Sequence, residues 1–259
     1  MTLPDKLSRS LRDRKVLVTG AAGGMGEATA RVFADEGARV AIADVRTGQL
    51  EAVAESIRAG GGQAQAFTID VADPEQVSAG VAAAAAHWGG LDVLVSNAGV
   101  SIHTPIDAPD YEAHWERSLA VMLSAQPRLL RAALPWLRKS DAARVVLIAS
   151  TEALGATAGV SVYSAAKAGV TGFTRSLAVE LGPEGITVNC ICPGPIDTPM
   201  TARIPAEQKT IFAKRRTALR RYGRPDEVAH MTVSLCLPAA SYITGAVIPV
   251  DGGLMARNA

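Results

Sequence analysis

Two side chains with complementary acid–base chemistry lie four positions apart in the second half of the chain. Tyr163 and Lys167 fall in the segment VYSAAKAGVTGFTRSLAVEL, which has the pattern of a helix. This spacing places both side chains on one helix face. A phenol has an ordinary pKa of about 10 and is a poor base at neutral pH, but a neighbouring ammonium favours the phenolate. The pair therefore predicts a tyrosine that exchanges a proton with a substrate, with Lys167 lowering its pKa.

A glycine-rich turn near the amino end has the form of a phosphate-binding loop. The apolar run KVLVT leads into the turn GAAGGMG at residues 20–26, and a helical pattern follows. Glycines permit a tight turn there, and the first N–H groups of the helix bind negative charge. We therefore expect Gly20, Gly24, Met25 and Gly26 to hold the pyrophosphate of a dinucleotide.

An acidic residue, Asp44, ends the second predicted strand, 20 residues after Gly24. Its carboxylate can accept hydrogen bonds from the adenosine ribose and would repel a 2′-phosphate. Position 23 holds a glycine rather than a cation that could pair with that phosphate. We therefore expect Asp44 and the adjacent Val45 to contact the adenosine, and NAD to be favoured over NADP. The alternative is a solvated carboxylate at a strand end.

Seven short aliphatic runs alternate with helical patterns along the chain. Most of the runs are apolar on both faces, which is typical of parallel strands covered by helices on each side. We predict strands over residues 15–19, 39–43, 64–69, 91–96, 144–149, 186–191 and 246–250. Helices are predicted over residues 24–36, 47–59 and 74–88 among others. The sequence thus predicts an α/β fold of the Rossmann type, with a doubly wound, seven-stranded parallel sheet.

Length and charge restrict the class of protein further. The 259 residues, 48% of them hydrophobic, suit one domain over residues 1–259 with a large core. We expect residues 1–13 to be an amino-terminal extension and residues 197–224, which are poor in strand pattern, to form a mobile substrate lid. No run has the length of a signal peptide core or a membrane span. A net charge of +1 does not favour nucleic acid or membrane binding, so we expect a cytoplasmic protein with a small-molecule partner.

The three cysteines, Cys190, Cys192 and Cys236, lack the spacing of a zinc site or a disulfide framework. Cys190 and Cys192 fall on the same face of a predicted strand, as core residues do. We therefore predict no metal site, and the cysteine content favours a reducing compartment.

Several motifs occur together in a characteristic order. They are TGAAGGMG at 19–26, SNAG at 96–99, Ser150, YSAAK at 163–167, PGPIDT at 193–198, RYGRPDEVA at 221–229 and YITGAVIPVDGG at 242–253. On these motifs the sequence resembles the short-chain dehydrogenase/reductase family over nearly its whole length. The resemblance implies an enzyme that transfers a hydride between a nicotinamide cofactor and a secondary alcohol or ketone.

The same resemblance implies a role for each matching residue. Tyr163 would be the general acid/base, Ser150 would hold the substrate oxygen, and Lys167 would bind the nicotinamide ribose. The other expected cofactor contacts are Asp70 and Val71 beside the adenine, Asn97, Ala98 and Gly99 along the ribose path, Ile196 and Thr198 at the carboxamide, and Pro193 and Gly194. The resemblance also implies a homotetramer, with a dimer as the alternative.

One position departs from the family pattern. The segment WERSLAVML at 115–123 carries Met122 where the family usually has an asparagine. A thioether is a weak acceptor and cannot reproduce an amide that helps hold the water leading from Lys167 toward solvent. Three alternatives follow: a backbone carbonyl holds that water, Ser118 or Gln126 substitutes for the amide, or catalysis is weak.

Residues on the substrate side are less distinctive. His103, Thr104, Glu152 and the segment 200–222 are expected near the nicotinamide. His103 and Glu152 could bind substrate hydroxyls or an amine, or could be solvated. A basic cluster could attract a carboxylate or an acyl carrier, or form a solvated helix face. Its members are Lys214, Arg215, Arg216, Arg220 and Arg221.

Two other functions stay open at this point. One is a 3-oxoacyl carrier-protein reductase, which normally uses NADPH and which Asp44 and Gly23 disfavour. The other is a non-catalytic NAD-binding or interaction protein on the same scaffold, suggested only by Met122, since a fold by itself does not establish chemistry.

Overall fold

A sheet of seven parallel strands lies at the centre of the computed structural model, which describes residues 8–257. The strands are β1 (Lys15–Thr19), β2 (Arg39–Asp44), β3 (Gln63–Thr68), β4 (Val93–Ser96), β5 (Arg144–Ile148), β6 (Thr187–Pro193) and β7 (Val247–Val250). Their spatial order is β3-β2-β1-β4-β5-β6-β7, and every neighbouring pair is parallel. The predicted sheet is confirmed, and each strand ends within two residues of its predicted bounds.

Eight helices connect and cover these strands within the described residues. They are α1 (Gly24–Asp35), α2 (Thr47–Ala59), α3 (Pro74–Trp88), α4 (Tyr111–Leu119), α5 (Ala125–Leu137), α6 (Ser161–Leu181), α7 (Ala206–Arg216) and α8 (Pro225–Cys236). A π-helical turn, Ala120–Ser124, joins α4 to α5. None of the helices in this part of the chain is long and apolar enough to cross a membrane.

Each face of the sheet has its own hydrophobic core. Alternate residues of a strand point to opposite faces. Leu17 of β1 accordingly packs with Leu129 of α5 on one side, whereas Val18 packs with Phe33 of α1 on the other. This division explains why the strands are apolar at nearly every position.

The predicted extension and lid both contain ordered structure. Leu11 is fully buried, and the carbonyl of Ser8 accepts a hydrogen bond from the Ala239 N–H at 2.9 Å. The end of the predicted extension therefore packs onto the domain, and its residues 1–7 lie outside the described part. The segment 197–224 contains a 3₁₀ turn, Pro199–Thr201, and the whole of α7. Its mobility stays a prediction.

The order of the strands reverses at one place. From β1 the chain proceeds outward through β2 and β3, and from β4 it proceeds in the other direction through β7. At such a switch point the loops beyond the carboxyl ends of the two central strands diverge and leave a crevice, where ligands bind in folds of this type.

Candidate functional site

The glycine-rich turn lies in this crevice, packed tightly against the loop after β4. Gly20 and Gly24 have left-handed backbones, with φ of +67° and +60°. A Cβ on Gly20 would lie 2.7 Å from the Cα of Ala98, and one on Gly26 would lie 2.1 Å from the Gly20 carbonyl oxygen. Only glycine fits at positions 20 and 26, because a side chain at either one would push the turn away from α1 or from the loop after β4.

Asn97 ties the turn to the central strands. Its side-chain amide donates to the carbonyls of Thr19, at 2.9 Å, and Gly20, at 3.2 Å. The Thr19 hydroxyl in turn accepts from the backbone N–H groups of Asn97, at 3.0 Å, and Ala98, at 3.2 Å. These bonds fix the ends of β1 and β4 relative to each other and so fix the shape of the crevice.

The crevice is a cleft of about 490 Å³. All the residues predicted to contact a cofactor line it, except Gly26, Pro193, Gly194 and Ile196. Gly194 instead packs against β7, where a Cβ would lie 2.7 Å from the Cα of Asp251, and Ile196 is buried. The glycine turn, the lining that runs from this turn to Tyr163 and Lys167, and an acidic residue at the end of β2 fit a nicotinamide dinucleotide.

Three predicted catalytic residues meet near this cleft. Helix α6 presents Tyr163 in its first turn and Lys167 one turn later, both on the cleft wall. The Lys167 ammonium is buried, donates to the Ile148 carbonyl at 2.8 Å and lies 5.6 Å from the centroid of the Tyr163 ring. Ser150 follows β5, and its hydroxyl lies beside the phenol and accepts from the Glu152 N–H at 3.1 Å. The structure therefore brings Ser150, Tyr163 and Lys167 together.

The electrostatics of the pair differ from the sequence prediction. Burial raises the pKa of Tyr163 above its usual value, the Ser150 hydroxyl opposes this rise, and the Glu152 carboxylate adds to it. In the protein alone, desolvation of the phenol outweighs the hydrogen bond that favours its ionised form, so the pKa of Tyr163 is raised rather than lowered. The phenol is protonated at neutral pH, as a proton donor to a ketone must be. Its action as a base requires further positive charge, which an oxidised nicotinamide carries.

Met122 lies fully buried in the π-helical turn. Its Cγ is 3.9 Å from the position a Cβ would take on Gly99, and the Lys167 Nζ is 3.8 Å from the same position. The Met122 carbonyl accepts a hydrogen bond from the Gln126 side-chain amide at 3.0 Å. Gln126, one of the side chains suggested as a substitute for the asparagine, thus bonds through its amide nitrogen to a backbone carbonyl of this turn.

The predicted substrate residues make contacts within the protein. The Glu152 carboxylate accepts hydrogen bonds from the Thr157 N–H at 2.9 Å and hydroxyl at 2.7 Å, and so holds the loop before α6. The exposed ring of His103 lies against Gly159, and the Thr104 hydroxyl is 2.9 Å from His114 Nδ1. None of Glu152, His103 and Thr104 lines the 490 Å³ cleft.

The basic cluster is exposed. Lys214, Arg215 and Arg216 form the last turn of α7, where positive charge favours the carboxyl end of a helix. Arg221 forms an ion pair with Glu227 at 2.6 Å. These contacts support the solvated-face interpretation, and no anion site follows from them.

The sequence motifs did not predict two cationic side chains of the cleft wall, those of Arg46 and Arg117. Arg46 forms an ion pair with Asp44 at 3.1 Å, and Arg117 lies 3.7 Å from the Asp70 carboxylate. Burial favours a raised pKa for Asp44, but hydrogen bonds from Arg46 hold it below its usual value. The proximity of Arg46 to Asp44 in the sequence was an available signal, whereas Arg117 meets Asp70 only through the fold.

Comparisons with known proteins agree with this architecture. A family model described as Enoyl-(Acyl carrier protein) reductase matches residues 20–255. The cis-4-hydroxycyclohexanecarboxylate dehydrogenase of Sinomonas cyclohexanicum is 39% identical over 251 residues, covering 96% of this chain and 100% of that protein. The 3-oxoacyl-(acyl-carrier-protein) reductase FabG of Thermotoga maritima is 34% identical over 245 residues, covering 95% of this chain and 99% of that protein.

A solved structure shares the fold over the same length. A short-chain dehydrogenase from Burkholderia cenocepacia in complex with NADP superimposes with a TM-score of 0.89 and 35% identity, covering 96% of this chain and 100% of that one. The matches extend through the glycine turn, helix α6 and the last strand. On this evidence the chain belongs to the short-chain dehydrogenase/reductase family.

Proposed function

We propose that this protein is an NAD(H)-dependent oxidoreductase that transfers a hydride between the nicotinamide ring and a secondary alcohol or ketone, with Tyr163 as general acid/base. The observation that carries the proposal is the meeting of Tyr163, Lys167 and Ser150 beside a cleft that begins at the glycine turn. Asp44 at the end of β2 supports NAD as the cofactor. The homotetramer implied by the resemblance and the cytoplasmic location expected from the composition remain expectations.

Each residue contributes a definite step. Tyr163 takes the hydroxyl proton during oxidation and returns it during reduction, at the substrate oxygen. Ser150 holds that oxygen, and Lys167 keeps a positive charge under the phenol and binds the ribose. When bound, the nicotinamide accepts or supplies the hydride. The buried setting positions these groups before reaction, which accounts for much of the acceleration in enzymes of this kind.

A second candidate activity has some support. A relative of similar length is named as a 3-oxoacyl-(acyl-carrier-protein) reductase. Such an activity normally uses NADPH, and Arg46 brings a positive charge to the adenosine end of the cleft. A 3-oxoacyl thioester therefore belongs in any substrate screen.

The test is nicotinamide reduction by purified protein with NAD, and separately with NADP, against a panel of secondary alcohols. The panel includes cyclic hydroxycarboxylates, because one relative is named for such a substrate, together with aromatic, polyol and hydroxyacyl members. We expect activity with NAD, and its loss by at least about a hundredfold in Tyr163→Phe, the range for loss of an acid/base group. Tyr242→Phe is the matched control, because this tyrosine is fully exposed.

Two outcomes would contradict the proposal. Turnover that survives in Tyr163→Phe would remove the tyrosine from the mechanism. Tight NADH binding with no turnover on any alcohol, ketone or 3-oxoacyl thioester would favour the non-catalytic alternative that Met122 suggested.

A further inference from the structure

Glu152 joins three parts of the wall around the reacting groups. Its backbone N–H donates to the Ser150 hydroxyl at 3.1 Å, in the turn that follows β5. Its Oε1 accepts from the Thr157 hydroxyl at 2.7 Å, and its Oε2 accepts from the Thr157 N–H at 2.9 Å. Oε2 also accepts from the Ser164 hydroxyl at 3.3 Å. Because Ser164 follows Tyr163 directly on α6, Glu152 ties the turn after β5 to the helix that carries the phenol.

The bond from Glu152 also affects how the Ser150 hydroxyl can act. A hydroxyl has one donor and two acceptor positions, and the Glu152 N–H fills one of the acceptor positions. The hydroxyl proton stays available to the neighbouring Tyr163 oxygen, and the contact with Ser150 favours the ionised form of that phenol. The turn therefore presents Ser150 as a donor to the reacting oxygens.

Charged and titratable groups reach Tyr163 from several elements. Lys167 lies one turn further along α6, with its Nζ 5.6 Å from the centre of the phenol ring. The buried Cys192 lies on β6, and Asp251 after β7 acts on that thiol in turn. Glu152 supplies a carboxylate from the segment after β5, and its negative charge raises the pKa of Tyr163. The carboxylate of Glu152 and the ammonium of Lys167 therefore act on the phenol in opposite directions.

We propose that Glu152 is a positioning residue of this site: its carboxylate ties the turn after β5 to α6, holds the Ser150 hydroxyl against the Tyr163 phenol and keeps a negative charge beside them. The inference rests on the proposed function for the role of Tyr163. Glu152 does not line the cleft, so it acts through these two residues. During ketone reduction the phenol must carry a proton, and the charge of Glu152 extends to higher pH the range in which it does so. During alcohol oxidation the phenol must have lost that proton, so the same charge moves oxidation to higher pH.

The test is an ultraviolet titration of Tyr163 in the wild type and in Glu152→Gln. Phenolate absorbance is followed with rising pH, and the curve of the same protein carrying Tyr163→Phe is subtracted to isolate this tyrosine. Glutamine has nearly the shape of glutamate and can still accept from the Thr157 hydroxyl, but it has no charge. We expect Tyr163 to ionise about one pH unit lower in Glu152→Gln, the lower end of the range for one nearby charge.

The matched control is Glu180→Gln, which removes the same charge from the same helix. Glu180 is exposed near the end of α6, about 25 Å along the helix axis from Tyr163. This variant should leave the Tyr163 titration at its wild-type position, because an exposed charge at that distance is screened.

The rates of reaction supply a second readout. In Glu152→Gln the rise of kcat/KM with pH for alcohol oxidation should move to lower pH, and the fall of ketone reduction with pH should move with it. Thr157→Val keeps the charge of Glu152 and removes the 2.7 Å bond from the hydroxyl. We expect this variant to lower kcat by about three- to tenfold, the effect of one hydrogen bond, with the Tyr163 titration close to that of the wild type.

Three results would overturn the inference. They are an unchanged Tyr163 titration in Glu152→Gln, an equal shift in Glu180→Gln, and a wild-type kcat in Thr157→Val. The titration does not require turnover, so it tests the charge of Glu152 independently of the substrate. Full activity of Tyr163→Phe would instead overturn the proposed function.

Discussion

Lys167 keeps a charge at a position where only 3% of the residue is exposed. Burial lowers the pKa of Lys167 to about 8, against about 10.4 for a free lysine. At neutral pH the ammonium is retained, and its bond to the Ile148 carbonyl compensates part of the desolvation cost. A lysine in this setting is costly to the fold, which is consistent with a role in the site rather than in packing.

The lysine makes a prediction about stability and pH. Between pH 8 and 10.4 the unfolded chain binds more protons at this residue than the folded chain, so the contribution of Lys167 to the free energy of unfolding rises with pH across that window. The loss of stability caused by burying this ammonium is fully present below pH 8 and disappears above pH 10.4. Lys167→Met removes this contribution, so its free energy of unfolding relative to the wild type should fall by about 3 kcal/mol across the window. Denaturant unfolding at several pH values measures it.

The matched control for that prediction is Lys139→Met, since Lys139 is exposed at the end of α5. Its stability should follow that of the wild type at every pH. If Lys167→Met also follows the wild type from pH 8 to 10, the lysine does not have the lowered pKa described above.

At the scale of elements, the contact between β1, the glycine turn and α1 shapes the part of the cleft where we expect the pyrophosphate of the cofactor to bind. Gly26→Ala places a methyl group 2.1 Å from the Gly20 carbonyl, so α1 must shift away from the turn. We expect a loss of about 1–3 kcal/mol in the free energy of unfolding, as for other overpacked sites, and a loss of NADH affinity of at least tenfold. Unfolding curves and fluorescence titration measure the two effects.

Gly48→Ala is the control for the same chemical change. Gly48 lies in the first turn of α2, and a Cβ there meets nothing within 4 Å. Alanine should therefore leave stability unchanged or raise it by up to about 1 kcal/mol. Normal NADH binding by Gly26→Ala would show that cofactor binding does not need the close packing of the glycine turn.

The elements themselves were largely predictable, whereas the irregular parts were not. Aliphatic runs and glycine stops gave the bounds of α2 and α3 correctly, because both depend on local pattern. The π-helical turn at Ala120–Ser124 has no such pattern, and the Met122 carbonyl within it accepts a hydrogen bond from the Gln126 side chain. Such turns often occur near functional sites.

At the scale of the whole molecule, the reversal of strand order collects residues from distant parts of the chain. Asp44 arrives from the end of β2, Asn97 follows β4, and Tyr163 comes from α6. Parallel strands end at one edge of a sheet, so every such residue faces the same cleft. The order of the motifs along the chain therefore predicted which ends of the strands meet at this cleft.

What the sequence could not predict depends on contacts between side chains. Arg117 meets Asp70, and Glu152 bonds to the loop at Thr157. The pKa of Tyr163 rises because of burial that only the folded protein provides. Motif spacing identifies which residues meet. The charge of each residue, and the donors and acceptors it can still offer a ligand, depend on its neighbours in the fold.

The central claim is that this chain transfers a hydride directly from a carbinol carbon to a nicotinamide, with Tyr163 handling the proton. The most direct measurement uses the alcohol that the protein oxidises fastest, with deuterium on the carbinol carbon, and follows the label by mass spectrometry. We predict that the label appears in the reduced dinucleotide in equal amount to the ketone formed, and that Tyr163→Phe transfers almost none. Label released to water, or transferred at the wild-type rate by Tyr163→Phe, would contradict the account.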